Sequence, residues 1–348
     1  LLAQRPDAVI VTSENAYHLP LVTAAAQAGA HVLCEKPLAT TPADARALIQ
    51  ACHAAGVPLM TAYPMRFSTP AVEVKTMLMS GRLGKVIGVN ATNQGALPEF
   101  HQAENLDFLG RGWFVDAALA GGGAVTDHAV HLADLLRWLL VSEVTEVYAA
   151  TNRVLHQDRV TVETGGLLLL TFADGTFASI DCSWSKPAYY PTWGGLTMEI
   201  VGEQSLATMD AFKQTMTVYS GRTGRGALAY WGSDANAAML REFVDAARAN
   251  RPPAVTGEDG LRAVEIARAR RGAVYRGVDA EPRSRIAARD AEIEAPREGI
   301  FRIAYFGLHG EAKLLRFGRI IEQSTRNQRG LLDLREEPRA FDFDPKPR

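Results

Sequence analysis

The sequence predicts two fold classes in succession: an α/β parallel sheet first, then an α+β unit built on a mostly antiparallel sheet. Three observations carry this. Short apolar runs alternate with helical stretches up to about residue 83. From Lys85 onward that alternation gives way to hairpins. Within the second part, the run Gly121-Gly-Gly123 opens a long amphipathic helix.

The elements follow in order. Val9-Ile-Val-Thr12 is a short apolar strand, and Ser13-Glu-Asn15-Ala-Tyr-His18 is the polar turn after it. Residues 19–29 have a helical apolar period, and Gly29 closes it. His31-Val-Leu-Cys34 is the next strand. Thr41-Pro42 starts a helix, a cap followed by proline at the first helical position, and that helix runs to Gly56. Val57-Pro-Leu-Met-Thr-Ala62 is the third strand. The order β-α-β-α-β makes residues 9–12, 31–34 and 59–62 parallel neighbours with helices on the sheet faces. Ligands bind beyond the carboxyl ends of such strands. Asn15, His18, Glu35, Lys36 and Arg66 lie there.

The second part reads differently. Strands are expected at 85–91 and 143–149. Residues 167–172 and 176–184 flank Ala173-Asp-Gly175, and Asp-Gly is a strong hairpin signal. A second hairpin joins 196–201 to 205–209 across Gly202-Glu203. The expected antiparallel sheet spans Lys85 to about Tyr219. One face covers the core and the other is left open for an oligomer contact. Residues 234–250 and 258–271 are closing helices.

Composition narrows the class. The chain has 348 residues, 47% hydrophobic and 22% charged, with formal net charge −2. That length accommodates two domains. The near-neutral balance argues against nucleic acid as a partner. No apolar run reaches membrane-spanning length. Cys34, Cys52 and Cys182 have no CxxC spacing, which fits a reducing cytoplasm better than a disulfide framework. No signal peptide is visible.

Chemistry concentrates in two places. Asp127 and His131 are four residues apart on one helix face, and a carboxylate beside an imidazole suits proton transfer near neutral pH. Cys34-Glu35-Lys36-Pro37 ends an apolar strand. A Lys, an Asp and a His from two segments make an acid/base constellation expected at one cleft. Each has a plainer alternative: Lys36 as a surface lysine, His131 packed on its own helix, and Asp127 as the cap of the helix after the glycines. Asn15 and His18 read either as cofactor contacts or as an Asx-turn cap. Trp113 and Phe114 are pocket walls or core. His101 and His128 read as structural. Asp127, His128 and His131 lack a further ligand for zinc, so no metal is expected.

Taken together, these motifs resemble the Gfo/Idh/MocA dehydrogenases, nicotinamide-dependent sugar and cyclitol oxidoreductases. The turn Thr12-Ser-Glu-Asn15-Ala-Tyr-His18 is similar to their Thr-Pro-Asn-x-x-His. Glu35-Lys36-Pro37 matches Glu-Lys-Pro, and residues 121–131 match their glycine-rich Asp-x-x-x-His motif. Ser80 to Gly84 and Thr256 to Arg262 resemble further family segments, so the likeness covers roughly residues 1–275. It implies a partial Rossmann-type domain at 1–83 and a substrate and oligomerisation domain at 84–282. It also implies NAD or NADP as cofactor, with Thr12, Asn15, His18, Glu35, Lys36, Pro37 and Arg66 around it, and a cis Lys36–Pro37 bond. Arg66 matches the family, but Tyr63-Pro-Met-Arg66 lacks the neighbouring Asn that relatives often carry.

The implied reaction takes a hydride from a secondary alcohol of a sugar, polyol or cyclitol. His131 takes the hydroxyl proton, Asp127 orients and tunes the imidazole, Lys36 holds the substrate oxygen, and Trp113 lines the pocket. Relatives look like dimers or tetramers through the antiparallel sheet, so a homo-oligomer is expected.

Two departures from the family set further expectations. The first strand, Gly-x-Gly-x-x-Gly turn and ribose-binding acid of the family have no counterpart at the start of the chain. The chain therefore reads as beginning mid-domain, with an unpaired sheet edge at 9–12 and weak nicotinamide binding. That leaves open a non-catalytic binding or regulatory protein, or an inactive fragment. Residues 283–348 do not resemble the family and are expected to be poorly ordered, read either as an extra interaction arm or as an appended segment with no selected role, with one strand at 300–306 and one helix at 312–322.

Overall fold

The first three apolar runs form parallel strands, as their alternation with helices predicts. Our computed structural model describes residues 2–98, 111–187, 190, 194–213, 215–220, 225–230, 232–268, 274–276, 302–306 and 312–316. His101 lies outside the described residues.

Strand β1 (Ala8–Val11) is followed by a 3-10 turn (Asn15–Tyr17) and helix α1 (His18–Gln27). Strand β2 (His31–Cys34), helix α2 (Pro42–Ala54) and strand β3 (Leu59–Thr61) complete the alternation. Every residue of β1 is buried, because helices cover both faces of a parallel sheet. Val9 pairs with Val32, and Leu33 with Met60. Thr41 accepts from Asp44 N at 3.1 Å with Pro42 behind it, which is how α2 starts. The Lys36–Pro37 bond is cis, as expected.

Helix α3 (Thr69–Met79) leads to strand β4 (Val86–Ala96). Next come the short helix α4 (Ala117–Ala120), a π turn (Val125–Ala129) and helix α5 (Val130–Leu140). Strands β5 (Val144–Asn152), β6 (Gly165–Phe172), β7 (Phe177–Lys186), β8 (Gly194–Gly202) and β9 (Leu206–Asp210) follow. Strands β10 (Thr215–Ser220) and β11 (Arg225–Tyr230) precede helices α6 (Ala235–Arg248) and α7 (Gly257–Ala267). Strand β12 (Val274–Arg276) comes next.

The large sheet has the order β12-β5-β6-β7-β4-β8-β9. Its pairs are antiparallel except β4–β7, which is parallel. Residues 215–219, expected within it, form a separate hairpin of β10 with β11. Helix α5 buries Leu132, Leu135, Leu136 and Leu139 against the inner face, among Val89, Leu168, Ile180 and Leu196. Helix α7 places Leu261 and Val264 in the other core cluster, with Leu48 of α2 and Val32 of β2.

The tail departs most from expectation. Strand β13 (Arg302–Phe306) lies parallel to β1, with Val9 opposite Ala304 and Ile10 opposite Tyr305. Strand β14 (Ala312–Arg316) runs antiparallel to β13, so this stretch is a strand and the expected helix at 312–322 is corrected. The first sheet therefore has the order β14-β13-β1-β2-β3. The edge of β1 is not bare. Ile303 and Ala304 are buried there, so residues 302–306 are a working part of the sheet and not a roleless tail. The physical reason is the usual one for an exposed strand: unpaired N–H and C=O groups are a template for another strand.

Candidate active site

The three residues singled out for acid/base work come from two different parts of the chain. Lys36 stands at the carboxyl end of β2. Asp127 lies in the π turn, and His131 in the first turn of α5. Lys36 Nζ donates to Asp127 Oδ1 at 2.8 Å and to the Asp127 backbone oxygen at 3.2 Å. The two side chains are 16% and 10% exposed, so the pair is screened little by solvent.

Asp127 is not the helix cap. That work falls to Glu163, whose Oε1 accepts from Gly123 N at 2.8 Å and Val125 N at 3.3 Å. The glycine run serves this approach: a Cβ on Gly123 would collide with the Glu163 backbone, and Ala124 N donates to Glu163 O at 2.9 Å. Asp127 is thereby left free for Lys36. Its second oxygen, Oδ2, accepts from Trp184 Nε1 at 3.2 Å. Burial alone would raise the Asp127 pKa. The charges of Lys36 and His128 and the hydrogen bonds from Lys36 and Trp184 outweigh it and hold the carboxyl well below the ordinary range.

The expected direct partnership of Asp127 with His131 is corrected. Both Asp127 oxygens are engaged elsewhere, and the histidine nearest to them is His128, with Nε2 3.6 Å from Oδ2. The π turn widens the helix at Asp127, so four-residue spacing no longer stacks the two side chains as a regular α-helix would. His131 Nδ1 is buried and has no partner among the described residues. Burial, then the Lys36 charge, lowers its pKa far below the ordinary imidazole value, although Asp127 pulls the other way. Tyr63 meets the ring edge-on at 6.0 Å between centroids. Lys36 and Asp127 are thus in direct contact, and His131 lies within reach of the charge of both.

The residues expected around a cofactor divide. Thr12 follows β1, with its N–H and hydroxyl both on Phe306 O, at 2.8 and 3.2 Å. Glu35 Oε2 accepts from Lys36 N at 3.0 Å, and burial raises its pKa against the pull of Lys36. Asn15 and His18 are part of the loop scaffold. Asn15 Nδ2 donates to Ala120 O at 2.8 Å. His18 is fully buried, with Nδ1 facing Pro37 O and Leu38 O and Nε2 facing Ser13 O, which leaves neither ring nitrogen for a ligand.

Arg66 is held by carboxylates of the chain itself. Its guanidinium is locked on Asp134, Nε to Oδ2 at 2.7 Å and Nη2 to Oδ1 at 2.5 Å, with Asp259 Oδ1 3.2 Å away. Arg137 continues the buried network to Asp259 and Glu143. Trp113 is 9% exposed and stacks on Phe114 with centroids 4.1 Å apart. Its Nε1 has no partner among the described residues.

Trp184 and Glu163 were missed by sequence reasoning. Trp184 had a signal: it continues the inward series Ala178, Ile180, Cys182 on β7, so its polar N–H had to find a buried partner. Glu163 sits in a loop without period and had none. Among the described residues no group of three or more His, Cys, Asp or Glu is placed to hold a metal, and no helix is long and apolar enough to cross a membrane.

The family model for an oxidoreductase family with an NAD-binding Rossmann fold matches residues 1–63, and the GFO/IDH/MocA C-terminal domain model matches residues 71–207. The 1,5-anhydro-D-fructose reductase of Ensifer adhaerens is 30% identical over 260 residues, covering 73% of this chain and 73% of that protein. The myo-inositol 2-dehydrogenase of Thermotoga maritima is 29% identical over 268 residues, 74% of each. The crystal structure of GenD2 from gentamicin A biosynthesis in complex with NAD aligns with a TM-score of 0.64 at 28% identity, over 75% of this chain and 74% of that one.

Proposed function

Because the chain belongs to the GFO/IDH/MocA family of NAD(P)-dependent dehydrogenases, we propose that it oxidises a secondary alcohol of a sugar, polyol or cyclitol, with Lys36, Asp127 and His131 managing the proton. The observation that carries this reading is the 2.8 Å Lys36–Asp127 pair, followed on the next helix by His131, whose Nδ1 is buried without a partner among the described residues. The names of the relatives, an anhydrofructose reductase and an inositol dehydrogenase, support a polyhydroxylated substrate.

The residues present fit a nicotinamide cofactor. Thr12, Glu35, Lys36 and Pro37 gather where β1 and β2 end, the edge at which parallel sheets bind ligands, and the buried His131 Nδ1 has no hydrogen-bond partner among the described residues. Thr12, Glu35 and Pro37 would hold the cofactor, Lys36 is kept for the substrate oxygen, and Asn15, His18 and Arg66 shape the loops from behind. A bound nicotinamide supplies the hydride acceptor.

The chain's own residues do the rest. His131 accepts the hydroxyl proton, since burial and Lys36 keep its ring neutral. Lys36 holds the substrate oxygen and stabilises its developing negative charge. Asp127 fixes where the ammonium sits, and Trp113 walls the substrate.

We assign the outer face of the large sheet to a contact with a second copy. Tyr148, Leu169 and Leu167 are 44%, 47% and 44% exposed there, and Phe177 is 59% exposed. The register puts Tyr148 beside Leu169, and Phe177 opposite Thr171 one step along that face.

The test is turnover of a panel of sugars, polyols and cyclitols with NAD and with NADP, followed by nicotinamide absorbance. Lys36→Ala and His131→Ala should each lower kcat by about 100-fold or more, with cofactor binding by fluorescence retained. Wild-type turnover that survives both substitutions would overturn the assignment.

A further inference from the structure

The residue that ties the large sheet to the acid/base cluster is Trp184. It lies near the end of β7, fully buried, in a small apolar cluster with Leu97, Ala124, Val160 and Val162. Its backbone is pinned on both sides: Trp184 N donates to Thr164 O at 2.9 Å, and His156 Nε2 faces Trp184 O at 3.1 Å. From this fixed base the indole N–H reaches a single acceptor, Asp127 Oδ2, at 3.2 Å. Indole is a donor only, so the bond has one polarity, and it favours the carboxylate form of Asp127.

Consider what each oxygen of Asp127 would do without that bond. Oδ1 holds the Lys36 ammonium at 2.8 Å. A carboxylate turns easily about its last torsion, which is broad and roughly two-fold. With only Lys36 attached, the carboxylate turns about that torsion: the ammonium keeps the Asp127 backbone oxygen at 3.2 Å as a fixed point, but the shorter Oδ1 bond has no fixed place over the strand end. Trp184 removes this freedom by fixing the other oxygen from a rigid strand. The site is then anchored on two sheets: Lys36 on the first, Trp184 on the second, Asp127 between them. Such support of a reacting group by a rigid neighbour is what keeps it within a fraction of an ångström of its working position.

We propose that Trp184 is a positioning residue: through Asp127 it sets the place of the Lys36 ammonium, and so the rate of the chemical step but not the binding of cofactor. The inference rests on the reading of Lys36 and Asp127 given above. It concerns a side chain whose one polar hydrogen is spent on Asp127 and whose ring is packed in an apolar cluster.

The test is Trp184→Phe, which keeps a ring in the apolar cluster and removes the N–H. The expected result is a fall in kcat of about 10- to 100-fold, the range of one hydrogen bond to a charged group, with cofactor affinity by fluorescence titration unchanged. In an Asp127→Leu background, which has no acceptor, the same substitution should cost almost nothing more, because the two act as one unit. An independent reading needs no turnover: in the indole N–H NMR spectrum of the wild-type chain, Asp127→Leu should shift one tryptophan resonance. If Trp184→Phe fails to fold, that spectrum decides.

A folded Trp184→Phe with unchanged kcat, a loss that adds in full to that of Asp127→Leu, or an indole spectrum indifferent to Asp127→Leu overturns the proposal. If instead Lys36→Ala keeps full turnover, the functional reading fails while the indole shift still reports on the Trp184 bond.

Discussion

Replacing Arg66 by methionine separates a structural role from a cofactor role at a position where the two make opposite forecasts. The guanidinium is 5% exposed and makes two bonds to Asp134, itself 1% exposed, at 2.7 and 2.5 Å, with Asp259 3.2 Å away. Methionine fills most of the volume but leaves two buried carboxylates short of a cation. Removing one partner of a buried pair costs about 3–5 kcal/mol, mostly as uncompensated charge. For a cooperative unit of this size, each kcal/mol moves Tm by roughly 2–4 °C, so Arg66→Met should lower Tm by roughly 6–20 °C. Adding Asp134→Leu removes the stranded charge, and the double variant should regain a large part of that loss, since buried pairs are often replaceable by apolar residues at little cost. The assay is thermal denaturation by circular dichroism with NADH titration of each folded variant. An Arg66→Met protein with wild-type Tm and tenfold weaker NADH binding would refute the reasoning and return Arg66 to the cofactor site.

Other predictions follow from the same geometry. Burial lowers the pKa of His18, His128 and His131 below 6.5, so each stays neutral in the fold while the unfolded chain takes up a proton. The unfolded state then binds more protons, and stability is lost as pH falls below about 6.5 toward the folded values. Urea midpoints measured from pH 8 down to pH 5 should therefore decline below that point, and a flat profile would contradict the burial argument. Val141 ends α5 at φ 53° and ψ 35°, a left-handed position that costs a branched residue about 1–2 kcal/mol. Val141→Gly should raise Tm by a few degrees after the entropy of glycine is offset, and a lower Tm would show that the strain is absent. Ile303→Ala in β13 should destabilise by about 2 kcal/mol or more, and a neutral result would mean that this strand is not packed on β1 in solution.

What could be read from the sequence was local. Apolar runs separated by helical periods gave β1, β2 and β3, and Asp174-Gly175 placed the turn between β6 and β7. Lys36 was found because a strand end has a known use. The parts that escaped depend on contacts between distant residues. Nothing in the spacing of Asp127 and His131 announces a π turn, and the turn is what breaks their expected pairing. Arg66 looked like a strand-end ligand because its partners, Asp134 and Asp259, are 68 and 193 positions away. Glu163 caps a helix that begins some forty residues earlier, so no local capping pattern exists to be recognised. Each miss is a place where a tertiary partner decided the role of a side chain.

The placement of β13 also bears on the order in which the molecule can be finished. Thr12 meets Phe306 across 294 positions, so loop closure there is the slowest kind of pairing a sheet makes. During synthesis β1, β2 and β3 emerge together and can associate at once, while the outer side of β1 waits until residues past 306 have left the ribosome. Through that interval an apolar strand edge faces the cell. The risk of association therefore belongs to the nascent chain more than to the native protein, and the pairing of β13 with β1 is what ends it.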